Sequence, residues 1–295
     1  MKRNPYLLLI RPANLITAAT DIAAGAAIAI TLSSGTDSTN TFGGFVLLVF
    51  SSVFLYAGGI AFNDVFDAAL DRQERPERPI PSGRISKIQA ARYATLLLLA
   101  GILSAWFHHS LSGYLAFAIA LLTITYNKWA KHHSFTGPFN MGFLRGLNLL
   151  LGISLIPALL PVVYYVSIFP LIYIFAITMI SRGEVHGGSR TTLYRAMGLY
   201  LIVDLGILIY AIILGNWILP LVFIIIHLAY VLPPLRTAIR MPEASRIGTA
   251  VKHGVLGMIL MDAIWVSFSP FWIGAIFMIF LLPVSQKLAR HFAVT

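Results

Sequence analysis

The stretch GGFVLLVFSSVFLYAGGIAFNDVFDAALD, residues 43–71, joins a long apolar run directly to a short acidic segment. An apolar run of about 20 residues is the length that an α-helix needs to cross the hydrocarbon core of a bilayer. The chain shows no succession of short alternating segments of the kind that builds a transmembrane barrel. The stretch therefore predicts a membrane-spanning helix whose end carries charged side chains.

The rest of the chain repeats this apolar pattern. Hydrophobic residues make up 58% of its 295 residues, only 11% are charged, and the mean hydropathy is +0.82, which is too apolar for a water-soluble domain of this size. No linker separates two halves, so we expect one all-α transmembrane domain, residues 1–295, with nine or ten spans. The predicted spans are 13–32, 43–62, 89–107, 112–127, 138–156, 161–180, 194–214, 217–235, 248–268 and 271–286.

The basic residues predict the orientation of these spans. If Met1 lies in the cytosol, none of the five segments on the far side contains Lys or Arg, whereas the loops on the near side are basic. We therefore expect both termini to be cytosolic, with Thr36 outside and Ser134 inside. The net charge of +10 does not indicate nucleic-acid binding, because the basic residues are spread over six loops; membrane lipid is the expected surrounding.

Composition also limits the available chemistry. The chain has no cysteine, which excludes disulfides, thiolate nucleophiles and zinc–thiolate sites. The longest polar stretch, residues 63–87, holds ten of the 32 Asp, Glu, Lys and Arg residues. We therefore expect the chemistry of the protein to lie in this stretch, at the cytosolic end of the second span.

The acidic segment has the pattern N-D-x-x-D-x-x-x-D, formed by Asn63, Asp64, Asp67 and Asp71. On a helix the three aspartates fall on one face, where they repel each other unless cations lie between them. Mg²⁺ prefers oxygen ligands, and one or two carboxylates usually hold it together with substrate phosphates. The pattern predicts a Mg²⁺ site for a diphosphate, and the alternative is a solvated helix end.

The next residues, 72–84, contain four arginines and three prolines. Proline restrains the loop, and guanidinium groups bind phosphate oxygens in a bidentate manner. We expect Arg72 and Arg78 to bind phosphate; the alternative is ordinary positive charge on the cytosolic side.

The whole run NDVFDAALDRQERPERPIPSGRIS, residues 63–86, resembles the first aspartate-rich signature of the UbiA superfamily of prenyltransferases. RPANLITA, which contains Asn14, and TYNKWAK, which contains Tyr126 and Lys131, are similar to further family motifs. The resemblance implies a helical bundle around a central cavity, open sideways to lipid and capped by cytosolic loops. There an allylic prenyl diphosphate binds through Mg²⁺, ionises and alkylates an acceptor.

The second acidic motif of the family departs from its usual D-x-x-D form in this chain. SRGEVHGG, residues 181–188, has Ser181 where the first aspartate would stand and keeps only Glu184 as an acid. His186 is a candidate to accept a proton or bind another metal, or it is a solvated loop side chain. Together with RGLNLLLGIS, residues 145–154, this stretch resembles the EboC-like branch of the superfamily.

The resemblance assigns roles to these residues. It implies that oxygen ligands hold Mg²⁺ and that Arg78 and Lys131 bind the diphosphate as it leaves. The implied Mg²⁺ ligands are Asn63, Asp64, Asp67, Asp71 and Glu184. Further substrate-binding candidates are Asn14, Arg72, Tyr126, Ser181 and His186.

Five polar residues lie inside predicted spans and are expected to face the bundle interior, because they are costly in lipid. They are Asp21, Arg145, Asn148, Asp204 and Asp262. Arg145 and Asn148 are one turn apart and are substrate-binding candidates in the cavity wall. The alternative for all five is hydrogen bonding between helices.

These observations predict a Mg²⁺-dependent prenyltransferase that uses a prenyl diphosphate donor and an aromatic or other lipophilic acceptor. The altered second motif keeps one alternative open. In that alternative the protein binds or moves a lipophilic molecule without prenylating it.

Overall fold

The computed structural model describes residues 4–33 and 41–292, and within them the chain is helical and contains no strand. Short turns and three single turns of 3₁₀ helix join the α-helices. The helices are α1 (Pro5–Ile10), α2 (Pro12–Leu32), α3 (Thr41–Glu74), α4 (Lys87–His108), α5 (Ser110–Lys128), α6 (Thr136–Ile153), α7 (Leu160–Val163), α8 (Ile168–Ser181), α9 (Gly183–His186), α10 (Arg190–Ile213), α11 (Ile218–Arg240), α12 (Ala244–Ser267) and α13 (Ile273–Phe292).

The predicted all-α membrane bundle is confirmed. Among the described residues, eight helical segments are long and apolar enough to cross a membrane. The other two predicted spans correspond to α6, which carries Arg145 and Asn148, and to α13, whose apolar part is shorter. Thr36 lies outside the described residues.

Two helices differ from their predicted spans in an informative way. α3 continues without a break through the acidic segment to Glu74, so the apolar run and the acidic stripe form one rigid rod. The predicted span 161–180 instead begins with single turns and becomes a regular helix only at Ile168. Prolines at 157, 161 and 170 account for this irregular start, because proline lacks the N–H that continues a helix.

The long helices form a ring around a central space. Around the ring, α2 packs on α3, α3 on α5, α5 on α6 and α6 on α8. α12 contacts both α8 and α2 and so closes the ring. α4, α10, α11 and α13 pack outside this ring, where many large apolar side chains are exposed toward the lipid. The turns 75–86, 129–135 and 182–189 lie at one end of the bundle, called here the loop end.

Small residues allow α2 and α6 to approach each other at backbone distance. A Cβ atom on Gly25 would lie 2.3 Å from the carbonyl oxygen of Leu149, and one on Gly152 would lie 2.7 Å from that of Ile22. Helix contacts in membranes depend on such small residues, because lipid supplies no hydrophobic force between helices. This close crossing fixes the wall of the ring that carries Arg145 and Asn148.

A buried polar link joins the helices opposite this crossing. His227 Nδ1 lies 2.9 Å from Asp204 Oδ2, and His227 Nε2 lies 3.1 Å from the Tyr173 hydroxyl, which donates to the Gly254 carbonyl at 2.9 Å. The link connects α8, α10, α11 and α12. Asp204 therefore faces the interior of the bundle. This position was expected, because an aspartate exposed to lipid is energetically costly.

We predict that Gly152→Ala destabilises the protein, because the new methyl group would overlap the Ile22 carbonyl. Overpacking of this kind costs about 1–3 kcal/mol. Gly198→Ala is the matched control, since a Cβ there has no neighbour within 4 Å among the described atoms. Thermal unfolding in detergent checks both variants, and an unchanged midpoint for Gly152→Ala would contradict the close crossing.

Candidate functional site

A cavity of about 310 Å³ lies inside the ring and opens near the loop end. Its mouth is polar, and most of its deeper wall is apolar. The mouth is lined by Arg11, Asn14, Asn63, Tyr126 and Asn127. The apolar wall consists of Leu55, Ile60, Ile119, Met141, Leu144, Ile174, Ile177, Val255 and Met258. Such a cavity suits a ligand with a charged head and an apolar body.

The acidic stripe of α3 stands beside this mouth. Arg11 Nη2 donates to Asp64 Oδ1 at 2.6 Å, and Arg78 Nη1 lies 3.4 Å from the same oxygen. Arg78 Nη1 also contacts both oxygens of Asp71, at 2.8 and 3.0 Å. Lys131 donates to Asp67. Each aspartate therefore has a cationic partner.

These ion pairs supply cations to the three carboxylates, as the expected repulsion requires, but the cations are basic side chains of the chain itself. Three cationic side chains from three different segments neutralise them, so the stripe holds the loop end together. Arg78 was expected to bind phosphate, but its side chain is 5% exposed and lies between Asp64 and Asp71. Burial of this guanidinium is tolerated because two carboxylates face it.

Arg11 is held in a strained backbone conformation at the joint between α1 and α2. Its φ of 45° lies in the left-handed region, the only such value for a non-glycine residue in the described ranges. Strain of this kind costs of order 1–3 kcal/mol and persists where surrounding contacts fix it. Burial lowers the pKa of Arg11 below its ordinary value, and the Asp64 carboxylate opposes that shift. Arg11 was not predicted as a site residue, although it begins the RPANLITA stretch that resembles a family motif.

The mouth is also organised by amide contacts. Asn63 Nδ2 donates to Asn127 Oδ1 at 3.0 Å, and Asn127 Nδ2 donates to the Gly59 carbonyl at 3.0 Å. With its nitrogen bonded, the side-chain oxygen of Asn63 makes no hydrogen bond within the described part of the chain. Asn14, Asn63 and Tyr126, three of the predicted substrate-binding residues, line the cavity, and their binding roles stay predictions.

The second predicted motif lies apart from the acidic stripe. The Ser181 hydroxyl donates to the Thr178 carbonyl at 2.9 Å within its own helix, and Arg182 donates to the His133 carbonyl, which joins two loops. Glu184 is exposed beside Gly248; desolvation raises its pKa above its ordinary value, against the opposing charge of Arg75. The backbone of His186 ends α9, and its side chain lies outside the described atoms.

Several predicted residues lie outside the cavity lining, namely Asp64, Asp67, Asp71, Arg72, Arg78, Lys131, Ser181 and Glu184. Arg72 is exposed on the last turn of α3. Ser181 ends α8, and Glu184 belongs to the short helix α9. The predicted metal and substrate roles of these residues stay predictions.

A second polar group lies deep in the cavity wall. Arg145 Nε lies 2.7 Å from Asp21 Oδ2 and its Nη2 donates to the Thr17 carbonyl at 2.6 Å. Asn148 Nδ2 donates to Asp21 at 2.8 Å, and its Oδ1 accepts from Ser52 at 2.7 Å. Asp21 and Asp262 are buried, which agrees with their expected interior position. Arg145 and Asn148 bond other helices and also line the cavity, as expected, and their substrate-binding role stays a prediction.

Within residues 4–33 and 41–292, no group of three or more His, Asp or Glu side chains is arranged around a common metal position. The acidic stripe offers at most two neighbouring carboxylates with one amide oxygen. A metal bound there would need ligands from a substrate.

A ring of apolar helices around a cavity with a polar mouth and an apolar depth defines a class of helical integral membrane proteins with an amphiphilic internal cavity. The UbiA prenyltransferase family model matches residues 22–291, and the chain belongs to this family.

Named relatives and solved structures agree with this family. The chain is 40% identical over 156 residues to the digeranylgeranylglyceryl phosphate synthase of Methanosarcina mazei, covering 51% of this chain and 54% of that protein. It thus spans about half the length of the curated relatives it matches. The fold resembles a UbiA homolog from Aeropyrum pernix (TM-score 0.66, 13% identity, 85% and 96% coverage) and one from Archaeoglobus fulgidus bound to GPP and Mg²⁺ (TM-score 0.59, 16% identity, 97% and 99% coverage).

We predict that Asp71→Asn lowers stability more than Asp67→Asn does. Asp71 and Arg78 are both about 5% exposed, and breaking a buried ion pair costs roughly 3–5 kcal/mol. Asp67 is 21% exposed, and such partly solvated pairs contribute about 1 kcal/mol or less. Thermal unfolding of the two variants in one detergent compares them directly. If Asp71→Asn were as stable as the wild type, repulsion between the carboxylates, and not their ion pairs, would dominate the contribution of the acidic stripe to stability.

Proposed function

We propose that this protein transfers a prenyl group from an allylic prenyl diphosphate to a lipophilic acceptor inside the membrane. One observation carries the proposal. The cavity has an apolar wall, including Ile60, Ile174 and Met258, below a polar mouth that contains Arg11, and Arg11 in turn contacts the first carboxylate of the adjacent acidic stripe, Asp64. A prenyl diphosphate has the same division between a charged head and an apolar chain.

The proposed reaction breaks the bond between the allylic carbon and the diphosphate oxygen, and diphosphate leaves with the electron pair. The acceptor forms a new bond to the allylic carbon and loses one proton. In this proposal Arg11 and Lys131, which contact the acidic stripe in the structure, would stabilise the negative charge that develops on the leaving group. The apolar wall excludes water from the allylic cation, which would otherwise be hydrolysed.

The residues at the mouth fit a Mg²⁺ ion in the chemistry of their donors. Asp67 and Asp64 supply carboxylate oxygens, and the amide oxygen of Asn63 lies on the same helix face with no hydrogen bond among the described residues. Mg²⁺ is commonly held by one or two carboxylates together with substrate phosphates. The ion would neutralise the diphosphate, and Arg11 and Lys131 would then exchange their carboxylate partners for phosphate oxygens. Asp71 is less suited, because both of its oxygens contact Arg78.

The relatives support this proposal in two respects. The Archaeoglobus fulgidus homolog is described as bound to GPP and Mg²⁺, which is a prenyl diphosphate with the expected ion. The Methanosarcina mazei relative is named as a digeranylgeranylglyceryl phosphate synthase, which supports a lipophilic acceptor. Membership of the EboC-like branch stays a prediction.

A second candidate function, binding or transport of a lipophilic molecule without transfer, is favoured by one observation. Ser181 bonds its own helix, and Glu184 is exposed, so the second loop offers no carboxylate pair for a second ion. Under this candidate the cations at the mouth would bind an anionic head without a metal.

We predict that Mg²⁺ and a prenyl diphosphate bind this protein interdependently. Isothermal titration of geranyl diphosphate, with Mg²⁺ and with EDTA, measures the dependence in wild type and in Asp67→Asn. Since removal of a carboxylate ligand weakens the ion, the variant should lose about tenfold or more in Mg²⁺-dependent donor affinity. Glu77→Gln is the control, because Glu77 is an exposed acid of the adjacent loop. Equal affinity for the donor with Mg²⁺ and with EDTA would favour the second candidate function.

Orientation is a separate part of the proposal, with the loop end in the cytosol. The chain has no cysteine, so single cysteines can be introduced at Ser134 on the loop end and at Ser110 at the opposite end, both exposed. An impermeant thiol reagent added to intact cells should label position 110 and spare position 134. The reverse pattern would place both termini outside.

A further inference from the structure

Arg145 is held against α2 by one edge of its guanidinium group. Nε lies 2.7 Å from Asp21 Oδ2, and Nη2 donates to the Thr17 carbonyl at 2.6 Å. Nε and Nη2 form the side-on edge of the planar guanidinium, so Nη1 points away from α2. The residue is only 6% exposed and lines the cavity, with its guanidinium 5.7 Å from the centre of the Tyr56 ring.

Nη1 is therefore an available donor inside the cavity. Neither of its two N–H groups has a hydrogen-bond partner among the described residues. Nη2 is bonded to Thr17, and Nε is fully buried in a close but poorly aligned contact with Asp21, so Nη1 is the nitrogen that a ligand can reach. A buried donor without a partner destabilises the folded protein, and a ligand oxygen that accepts its hydrogen bond offsets this penalty. Arg145 is nine residues into α6, about 14 Å along the helix from Thr136, so this donor lies well below the mouth.

The acidic side chains around Arg145 offset its positive charge. Asp21 Oδ2 lies 2.7 Å from Arg145 Nε, and Asp262, also buried, accepts a hydrogen bond from the Thr20 hydroxyl at 2.5 Å. The Asp21 carboxylate alone balances the Arg145 guanidinium, so the group has no excess positive charge with which to bind an anion.

A charge-balanced group in the membrane interior disfavours a further full charge. We infer that Arg145 Nη1 binds an uncharged oxygen, a hydroxyl or carbonyl, at the inner end of the acceptor. This inference rests on the proposed function and assigns its acceptor class. Tyr56, which neighbours Arg145, lies two helical turns, about 10 Å, below Asn63 on α3. The acceptor would therefore lie with that oxygen at Arg145 and with its reacting atom nearer the mouth, toward the allylic carbon of the donor. Arg145 is then a specificity-determining residue.

Matched pairs of probes test the charge preference with the whole purified protein. The pairs are 4-hydroxybenzamide with 4-hydroxybenzoate, and 1-decanol with decanoate, so that each neutral molecule has an anionic partner of similar size. Calorimetric titration with and without geranyl diphosphate should show at least about tenfold tighter binding of the neutral member in any pair that binds. Tighter binding of the anionic member, or no binding by either neutral probe, would overturn the inference.

Two variants test the role of Arg145 itself. The double change Arg145→Gln with Asp21→Asn removes both charges together, which keeps the group balanced and protects folding. Arg145→Lys keeps a cation beside Asp21 but lacks the planar second nitrogen. Both should weaken the neutral probe about tenfold or more, while the control Arg195→Gln, at an exposed arginine, should not. Wild-type affinity in a folded variant would overturn the assignment.

The same titrations separate this inference from the proposed transfer reaction. A protein that binds the neutral probe through Arg145 but never binds Mg²⁺ with geranyl diphosphate supports the inference and refutes transfer. A protein that binds the donor but none of the neutral probes refutes the inference alone.

Discussion

The ion pairs of Asp64 hold the functional end of the molecule together. Asp64 belongs to the long helix α3, Arg11 to the joint between α1 and α2, and Arg78 to the loop that follows the acidic stripe. One carboxylate thereby ties three separate segments around the cavity mouth. Arg78 extends the link to Asp71, and Lys131 adds the segment after α5. Because the partly buried pairs lose stabilisation when one member is removed, the shape of the mouth depends on its charge balance.

This balance has a functional consequence. In the structure the carboxylates are neutralised by side chains, and a Mg²⁺–diphosphate ligand would bring its own cation and anion to the same place. Carboxylates would then face the ion, and Arg11 and Lys131 would face phosphate oxygens, with little change in total charge. Exchange of partners is less costly than exposure of unpaired charge at a membrane interface. The strained backbone of Arg11 suggests that its position is fixed for such contacts rather than for helix stability.

The sequence predicted the helices well because long apolar runs admit few alternatives in lipid. It also predicted the helix that carries Asp64, Asp67 and Asp71, and the cavity positions of Arg145 and Asn148. It did not predict which arginines meet which acids, since those contacts join residues 53 positions apart, as for Arg11 and Asp64. Arg78 is an example, because the sequence of a basic loop does not distinguish an arginine that binds phosphate from one that binds a carboxylate of the same chain.

The two ends of the cavity differ in how firmly their charged side chains are held. At the mouth several charges lie close to solvent, where partners can exchange. Deep in the wall, Arg145 and Asp21 are fixed by Thr17, Asn148 and the close crossing of α2 on α6. Under the inference drawn above, a ligand at that depth would meet this group through Arg145 Nη1, so its recognition would depend on that donor. The cavity would then hold a charged head at one end and an uncharged oxygen at the other, and the orientation of a bound acceptor would follow from the helix crossing that positions Arg145.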